Sequence, residues 1–494
     1  MRILLYNFVQ PEEPGAGGVG VYLNNLVRAL KGHGHDVITL SAGDRYSPTQ
    51  REPRVEFSDD AYHRAVIVNS PAIAPAAYSF GDPDTYLTSK ALDFVPALLA
   101  ERYGQIDVFH FQNIEGLTKS FFVTLREAFP DAQIIYSAHN YHPVCPRVSL
   151  WYQDRVVCTD YREGLACTMC LAPVFDPNYI RGRRRLMWLE KAYPRAMGLF
   201  TPALAAAKYA RRTLMKRRGQ ADVIENPEAA TPTGASSASY ADFRRSNIAL
   251  FADVFDQVLA VSKRTGQVII DRGVPADKVA VSYIGTAHKA NYLTSTKITD
   301  MGEELHLGYI GYMGTDKGFN FLLESLEKVP ADVAAAMTVT IAAKNTFPER
   351  HARMERLRGR FKNLRYFDGY THANLDQVLA GVNVGLIPVL WEDNLPQTAI
   401  ELVSRGIPVL TSDRGGAQEI AENARFIFRS GDHDDFVDRI VRISQREIAL
   451  GEFWQSDMRV FSMDEHVEDL MRYYRTPHLA GHLLVEPEDA TGGL

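Results

Sequence analysis

The chain has 494 residues, 46% hydrophobic and 23% charged, with 54 Lys and Arg against 60 Asp and Glu for a formal net charge of −6. These averages exclude a disordered, fibrous or collagen-like chain, and the length calls for two or three domains. The acidic balance excludes a generic nucleic-acid binder. The start, Met1-Arg2-Ile3-Leu4-Leu5-Tyr6, reads directly into a strand without the charged start, apolar centre and cleavage site of a signal peptide, so a cytoplasmic protein is expected. The longest apolar run, Ala196 to Ala207, is interrupted by Pro202 and falls short of the ~18 residues a membrane span needs, so any membrane contact would be peripheral.

Short β-branched runs alternate with helix-length amphipathic segments: 3–6, 37–40, 66–68, 108–110 and 134–136, then Val258-Leu259-Ala260-Val261 and Val279-Ala280-Val281. A second series follows at 305–310, 339–341, 364–366, 384–387 and 409–410. The alternation predicts two doubly wound, parallel α/β domains. The first spans 1–290, with a cysteine-bearing insertion near 141–180 and a basic segment at 181–218; the second spans 303–465. Residues 286–303 are polar and read as the linker, residues 226–240 as a loop rich in Pro, Ser, Ala and Gly, and 466–494 as a terminal helix and tail able to pack back on the first domain.

Three motifs carry candidate chemistry. Gly15-Ala16-Gly17-Gly18-Val19-Gly20 satisfies GxGxxG before the helical stretch 21–30, but Phe8 to Pro14 separates it from the first strand, which weakens a dinucleotide reading. What survives is close backbone approach and free N–H groups at a helix start, with a plain strand-to-helix turn as the alternative. Gly308-Tyr309-Ile310-Gly311-Tyr312-Met313-Gly314-Thr315-Asp316-Lys317-Gly318 is a strand and glycine-rich loop ending in a lysine able to neutralise a diphosphate; a solvated surface lysine is the alternative. Pro388-Val389-Leu390-Trp391-Glu392-Asp393-Asn394-Leu395-Pro396-Gln397-Thr398-Ala399-Ile400-Glu401 compresses a strand end, an acidic loop and a helix start into 14 residues. Its amides suit an anion and Glu401 suits ribose hydroxyls, or else the carboxylates merely cap the helix.

Together these segments resemble the retaining family 4 glycosyltransferases, whose GT-B fold sets two Rossmann-like domains around a central cleft. The resemblance rests on Gly17-Gly18, His110 in Asp107-Val108-Phe109-His110, His139 in Ser137-Ala138-His139-Asn140-Tyr141, Ser262 after its strand, Lys317-Gly318, and Asp393-x7-Glu401 in the place of a Glu-x7-Glu pair. It departs at Tyr312, where the family usually carries an arginine five residues before the lysine. The resemblance implies transfer of a sugar from a nucleotide-sugar donor, without a catalytic metal or other cofactor, to a saccharide or lipid-linked acceptor in bacterial surface polysaccharide or glycolipid synthesis. It implies that Glu401 holds the ribose, Asp393 a donor-sugar hydroxyl, and Lys317 the leaving diphosphate, aided by amides near Gln397 and Thr398. Gly314, Asn394 and Leu395 would line the donor side; His139, His110, Gly17 and Gly18 would face the reacting sugar or acceptor. A buried structural role is the alternative for His139. Two other functions stay open: a GT-B module that has lost catalysis, given Tyr312, and a nicotinamide-dependent oxidoreductase using Gly15 to Gly20.

All four cysteines, Cys145, Cys158, Cys167 and Cys170, fall in the pattern C-x12-C-x8-C-x2-C. The closing C-x2-C fits half of a tetrahedral thiolate site, so structural zinc is expected, against free thiols, an oxidised pair or an iron–sulfur cluster. Such an insertion also resembles that of a subset of bacterial family members. Residues 181–218 hold twelve Lys or Arg and one acid, interleaved with Leu186, Met187, Trp188, Leu189, Tyr193, Leu199, Phe200, Leu214 and Met215. That composition suits an anionic membrane surface carrying a lipid-linked acceptor, with an ordinary solvated helix face as the bland reading and no nucleic-acid recognition motif beside it.

Overall fold

The computed structural model describes residues 1–11, 13, 17–59, 63–170, 182, 184–186, 188–189, 192–193, 195 and 235–475. Most of 181–218, the stretch 226–234, Gly15, Ala16 and the tail after 475 therefore lie outside the described residues.

The first sheet contains β1 (Arg2–Tyr6), β2 (Asp36–Arg45), β3 (Arg54–Ser58), β4 (Arg64–Val68), β5 (Val108–Phe111) and β6 (Gln133–Ala138). After a small hairpin of β7 (Trp151–Tyr152) and β8 (Val156–Val157), β9 (Gln257–Ala260) and β10 (Val279–Val281) complete it in the order β10-β9-β6-β5-β1-β2-β4-β3. Ile3, Leu4, Leu5 and Tyr6 are all fully buried, which is why the central strand reads as an unbroken apolar run rather than an alternating one. Beside it, helix Gly17–Gly32 buries Tyr22, Leu23, Leu26, Val27 and Leu30 at helical spacing. The outermost strand, β3, runs antiparallel to β4 and was not expected; its partly exposed pattern suits a sheet edge.

The second sheet is six-stranded: β12 (His306–Tyr312), β13 (Thr338–Lys344), β14 (Asn363–Phe367), β15 (Val384–Ile387), β16 (Val409–Ser412) and β17 (Ile427–Phe428), in the order β14-β13-β12-β15-β16-β17 with every pair parallel. The order reverses between β12 and β15, so the loops leaving these two strands open at the topological switch point where doubly wound sheets bind ligands.

By compactness, one unit comprises Met1–Gln153, Cys158–Val258 and Arg272–Lys278, and the other Asp154–Val157, Leu259–Asp271 and the chain from Val279 onward. The segment read as a polar linker holds β11 (Gly285–Thr286) and the short helix Lys289–Thr294, none of whose residues is buried; without an apolar stripe the helix leaves no period in the sequence. β11 pairs with β18 (Phe461–Ser462), and the terminal helix Met463–Arg475 lies against this pair, with Ser282 donating to Asp469 at 2.7 Å. A Cβ on Gly285 would come within 2.6 Å of the Ser462 carbonyl oxygen, so the close approach needs glycine.

Candidate functional site

In the second unit the loop after β12 and the loop after β15 are locked together at the switch point. Gly318 has φ +70°, and a Cβ there would sit 1.7 Å from the Pro388 carbonyl oxygen, so only glycine fits. Leu390 donates its amide to the Asp316 carbonyl at 2.9 Å. This register brings the Lys317 ammonium to 2.5 Å from Asp393 Oδ2 and 4.8 Å over the Trp391 ring. Burial pulls the Lys317 pKa down, but Asp393 and Asp316 more than offset it, and the ammonium is held above its ordinary value.

The loop between β15 and helix Gln397–Val403 is built on a carboxylate that no local motif distinguishes. Glu392, 2% exposed at its side chain, accepts two hydrogen bonds from Arg264 (2.8 and 2.5 Å), one from Arg414 (3.0 Å) and one from the Gly415 amide (3.3 Å). Burial raises its pKa, and the two guanidiniums reverse this, leaving it below the usual carboxylate value. The partners lie more than 100 residues and about 20 residues away, so no local spacing reveals them. Ser262 caps the helix Lys263–Ile270, accepting from Thr265 N at 3.1 Å, and donates to the Asn394 carbonyl at 2.7 Å, so it fixes the Asp393-Asn394 turn. Gly416 donates its amide to the Asp393 carbonyl at 2.8 Å. Asn394 is buried, Leu395 is half-buried, and Gln397 and Thr398 open a helix that no side chain caps. Gly314 leaves room for Asp316, whose Oδ1 would lie 2.3 Å from a Cβ there.

Glu401 sits one turn into that helix with its side chain 8% exposed. Tyr370 donates its hydroxyl to Oε2 at 3.0 Å, and His372 Nδ1 lies 3.7 Å from Oε1. Burial raises the Glu401 pKa, against the opposing pull of Tyr370, His372 and Arg405. Tyr312, in place of the arginine, is 68% exposed at the end of β12. An arginine reaches the same loop from another element: Arg350, in helix Pro348–Arg356, donates to the Met313 carbonyl and feels the Asp316 carboxylate.

In the first unit, Gly17 has φ +58° and open space where a Cβ would stand; Gly18 follows it, exposed, in the first turn of the helix. His139, half-buried after β6, shares a hydrogen bond with Gln112 at 2.9 Å, and its ring centroid is 4.9 Å from that of Tyr22. His110, which the resemblance put beside the substrate, is fully buried in β5 and hydrogen-bonded to Ser137 of β6 at 2.7 Å, a contact between neighbouring strands. The residue the sequence missed is Glu115, 3% exposed, which accepts from Asn140 at 2.7 Å and from the Ala76 amide. It anchors the turn that carries His139, and burial pushes its pKa up to about 7 against those two donors.

The cysteine insertion folds against helix Ser237–Asp253; Gly164 approaches so closely that a Cβ would lie 2.0 Å from the Ser237 carbonyl oxygen. All four thiols lie in one another's electrostatic field, and burial raises those of Cys145, to about 11, Cys158 and Cys167. Arg147 points Nη1 at Cys170 Sγ from 3.9 Å. All four are free cysteines, and they do not form a set with sulfurs within 4.8 Å of one another; among the described residues, the group of three that meets this spacing is His288, His372 and Glu401.

Residues 16–227 match the family model described as Glycosyltransferase Family 4, and residues 304–446 match the model described as Glycosyl transferases group 1. No curated protein matches the sequence significantly. Among solved structures, the chain is similar to HepE of Anabaena in complex with UDP, at 14% identity and TM-score 0.52, over 96% of this chain and 100% of that one. It is also similar to a sucrose-phosphate synthase of Thermosynechococcus elongatus, at 15% identity and TM-score 0.55, over 96% and 98%. A third is an α,α-trehalose-phosphate synthase of Burkholderia xenovorans in complex with glucose-6-phosphate, at 13% identity and TM-score 0.54, over 96% and 100%. At these identities the likeness establishes the fold, which is GT-B. With a family 4 domain followed by a group 1 domain, the chain is a GT-B glycosyltransferase. Neither the nicotinamide-dependent oxidoreductase nor the inactive module is favoured by these matches. No described helix is long and apolar enough to cross a membrane.

Proposed function

We propose that the protein is a retaining glycosyltransferase that takes a sugar from a nucleoside-diphosphate donor bound on its second unit. The observation that carries this reading is the Lys317–Asp393 ion pair at the switch point between β12 and β15, with the buried Glu401 one turn into the helix that the same loop opens. Glu401 accepts from the ribose hydroxyls, its orientation set by Tyr370. Lys317 neutralises the diphosphate as negative charge grows on it, with Gln397 and Thr398 beside it, and Asp393 holds the ammonium in place until a donor hydroxyl shares its carboxylate. Arg350 supplies the second cation that Tyr312 does not, and catalysis needs no metal. Gly314, Asn394 and Leu395 shape this side; His139, Gly17 and Gly18 belong to the acceptor side. The complexes of HepE with UDP and of the trehalose-phosphate synthase with glucose-6-phosphate support a uridine nucleotide and a phosphorylated saccharide as the classes to try first; the family resemblance adds a lipid-linked saccharide.

The test is a thermal-shift and transfer screen with UDP-, GDP-, dTDP- and ADP-sugars. One nucleotide class should raise the melting temperature, and transfer should fall on the order of 100-fold or more in Lys317→Ala and Glu401→Ala, both still folded. Arg350→Ala should weaken donor binding. Full transfer by both Lys317→Ala and Glu401→Ala would defeat the site assignment.

A further inference from the structure

Glu401 takes part in a second arrangement that sugar transfer does not use. His288, at the start of the short helix after β11, and His372, in the turn after β14, converge on the same carboxylate. Their ligand atoms and that of Glu401 all lie within 4.8 Å of one another; the two imidazole centroids are 5.4 Å apart, and His372 Nδ1 is 3.7 Å from Glu401 Oε1.

We infer that His288, His372 and Glu401 form a binding site for one divalent transition-metal ion, and that the bound ion excludes the nucleotide from Glu401. The second clause rests on the proposed ribose contact of Glu401. Two imidazole nitrogens and one carboxylate oxygen make the donor set of zinc and its neighbours, whereas magnesium and calcium take oxygen ligands. A tetrahedral centre with bonds of about 2.0–2.1 Å needs donor atoms about 3.4 Å apart. His372 and Glu401 already stand at 3.7 Å, and closing the third corner takes a shift of little more than about 1 Å. His372 is 54% exposed at its side chain, so it can move and it gives the ion a way in.

The surrounding contacts match what such a site requires. Tyr370 occupies Oε2 and leaves Oε1 facing His372, which is how an outer hydrogen bond orients a carboxylate ligand. Arg405, whose charge acts on His288 and Glu401, is held by hydrogen bonds of its own: its Nε donates to Asp376 at 2.6 Å and its Nη1 to the Glu401 backbone carbonyl at 3.0 Å. The three ligands come from three separate segments near 288, 372 and 401, so the site exists only in the folded second unit.

Two consequences separate. The ion binds through the trio, and it competes with the nucleotide for Glu401. Cobalt(II) is the probe, because nitrogen and oxygen ligation gives weak visible bands while thiolate ligation at the cysteines gives an intense charge-transfer band. The full chain titrated with cobalt(II) should show one equivalent with nitrogen and oxygen character. His372→Ala and His288→Ala should each weaken that equivalent at least about tenfold. His372→Ala keeps the exposed backbone intact, so it should melt like the parent and guard against a folding artefact. UDP affinity, measured by calorimetry, should fall on adding one equivalent of cobalt(II) to the parent and hold steady in His372→Ala; chelation by the diphosphate itself is common to both samples. Unchanged cobalt binding in both histidine variants overturns the site. If cobalt binding is lost in the variants while UDP affinity in the parent ignores the metal, the metal site stands and the ribose role of Glu401 falls.

Discussion

At the scale of single residues, the most consequential groups are carboxylates held by donors from distant parts of the chain. Glu392 is ionised because two guanidiniums outweigh its burial; Glu115 is not so favoured, having only an amide and the Asn140 side chain, and burial carries its pKa to about 7. The sign of the resulting pH dependence follows from linkage. The unfolded chain releases this proton near the ordinary value of 4.5 and the folded chain near 7, so between these values the folded state binds the extra proton. Its contribution is fully present below about 4.5 and is lost as the pH rises through 7, at about 1.4 kcal/mol per unit, or about 3 kcal/mol across the window. Glu115→Gln removes the titration. In urea denaturation at a series of pH values the parent should lose stability relative to Glu115→Gln from pH 5 to 7, and parallel curves would show that Glu115 does not carry the shift. His139 would feel the same change, since Glu115 holds the neighbouring Asn140.

At the scale of elements, the described part of the cysteine insertion has little regular structure of its own. It has two two-residue strands and the four-residue helix Leu165–Thr168, with Phe80, Cys170 and Tyr240 forming a small apolar cluster on which Tyr152 and Cys167 pack. We propose that one structural zinc draws the four thiols together. Without a cation, burial keeps the Cys145 thiol neutral up to about pH 11; a divalent ion deprotonates its ligands and adds its binding free energy to folding. Nearby Arg147, Arg244 and Arg272 complement the net negative charge of a four-thiolate centre. The purified protein should contain about one zinc per chain, lost in Cys167→Ser and Cys170→Ser, and a strong chelator should lower its melting temperature by several degrees. A metal-free protein that melts identically with chelator would end this reading.

At the scale of the whole molecule, charge is unevenly distributed: a chain of net −6 concentrates twelve basic residues and one acid in 181–218. One of them serves the fold, since Arg184 donates to the Ser70 carbonyl at 2.5 Å and lies 5.8 Å over the Tyr46 ring. The remainder supports our proposal of peripheral attachment to an anionic membrane, where a lipid-linked acceptor would be presented. The full chain should float with vesicles containing anionic lipid at low salt, stay behind with neutral vesicles, and detach as salt screens the attraction. Failure to float on anionic vesicles at low salt would remove the membrane from the account.

The architecture was legible because buried parallel strands write continuous apolar runs, and those runs at 3–6, 37–40, 305–310 and 384–387 are the centres of the two sheets. The segments of the candidate site were legible too, since Lys317-Gly318 and Asp393-x7-Glu401 lie within single loops and one helix turn. The edge strand β3 was not, because a partly solvated strand has no strong pattern, nor was the pairing of β11 with β18. By itself, then, the sequence determined the fold class and the chemistry available at the switch point, both of which are encoded locally. Only the tertiary structure decided that His110 is core, that Glu115 and Glu392 hold the site loops, that Arg350 reaches the loop where Tyr312 stands, and that His288 and His372 meet at Glu401. Those contacts join residues tens to more than a hundred positions apart, and the physical terms that set them, burial and charge pairing across the fold, leave no period in the chain.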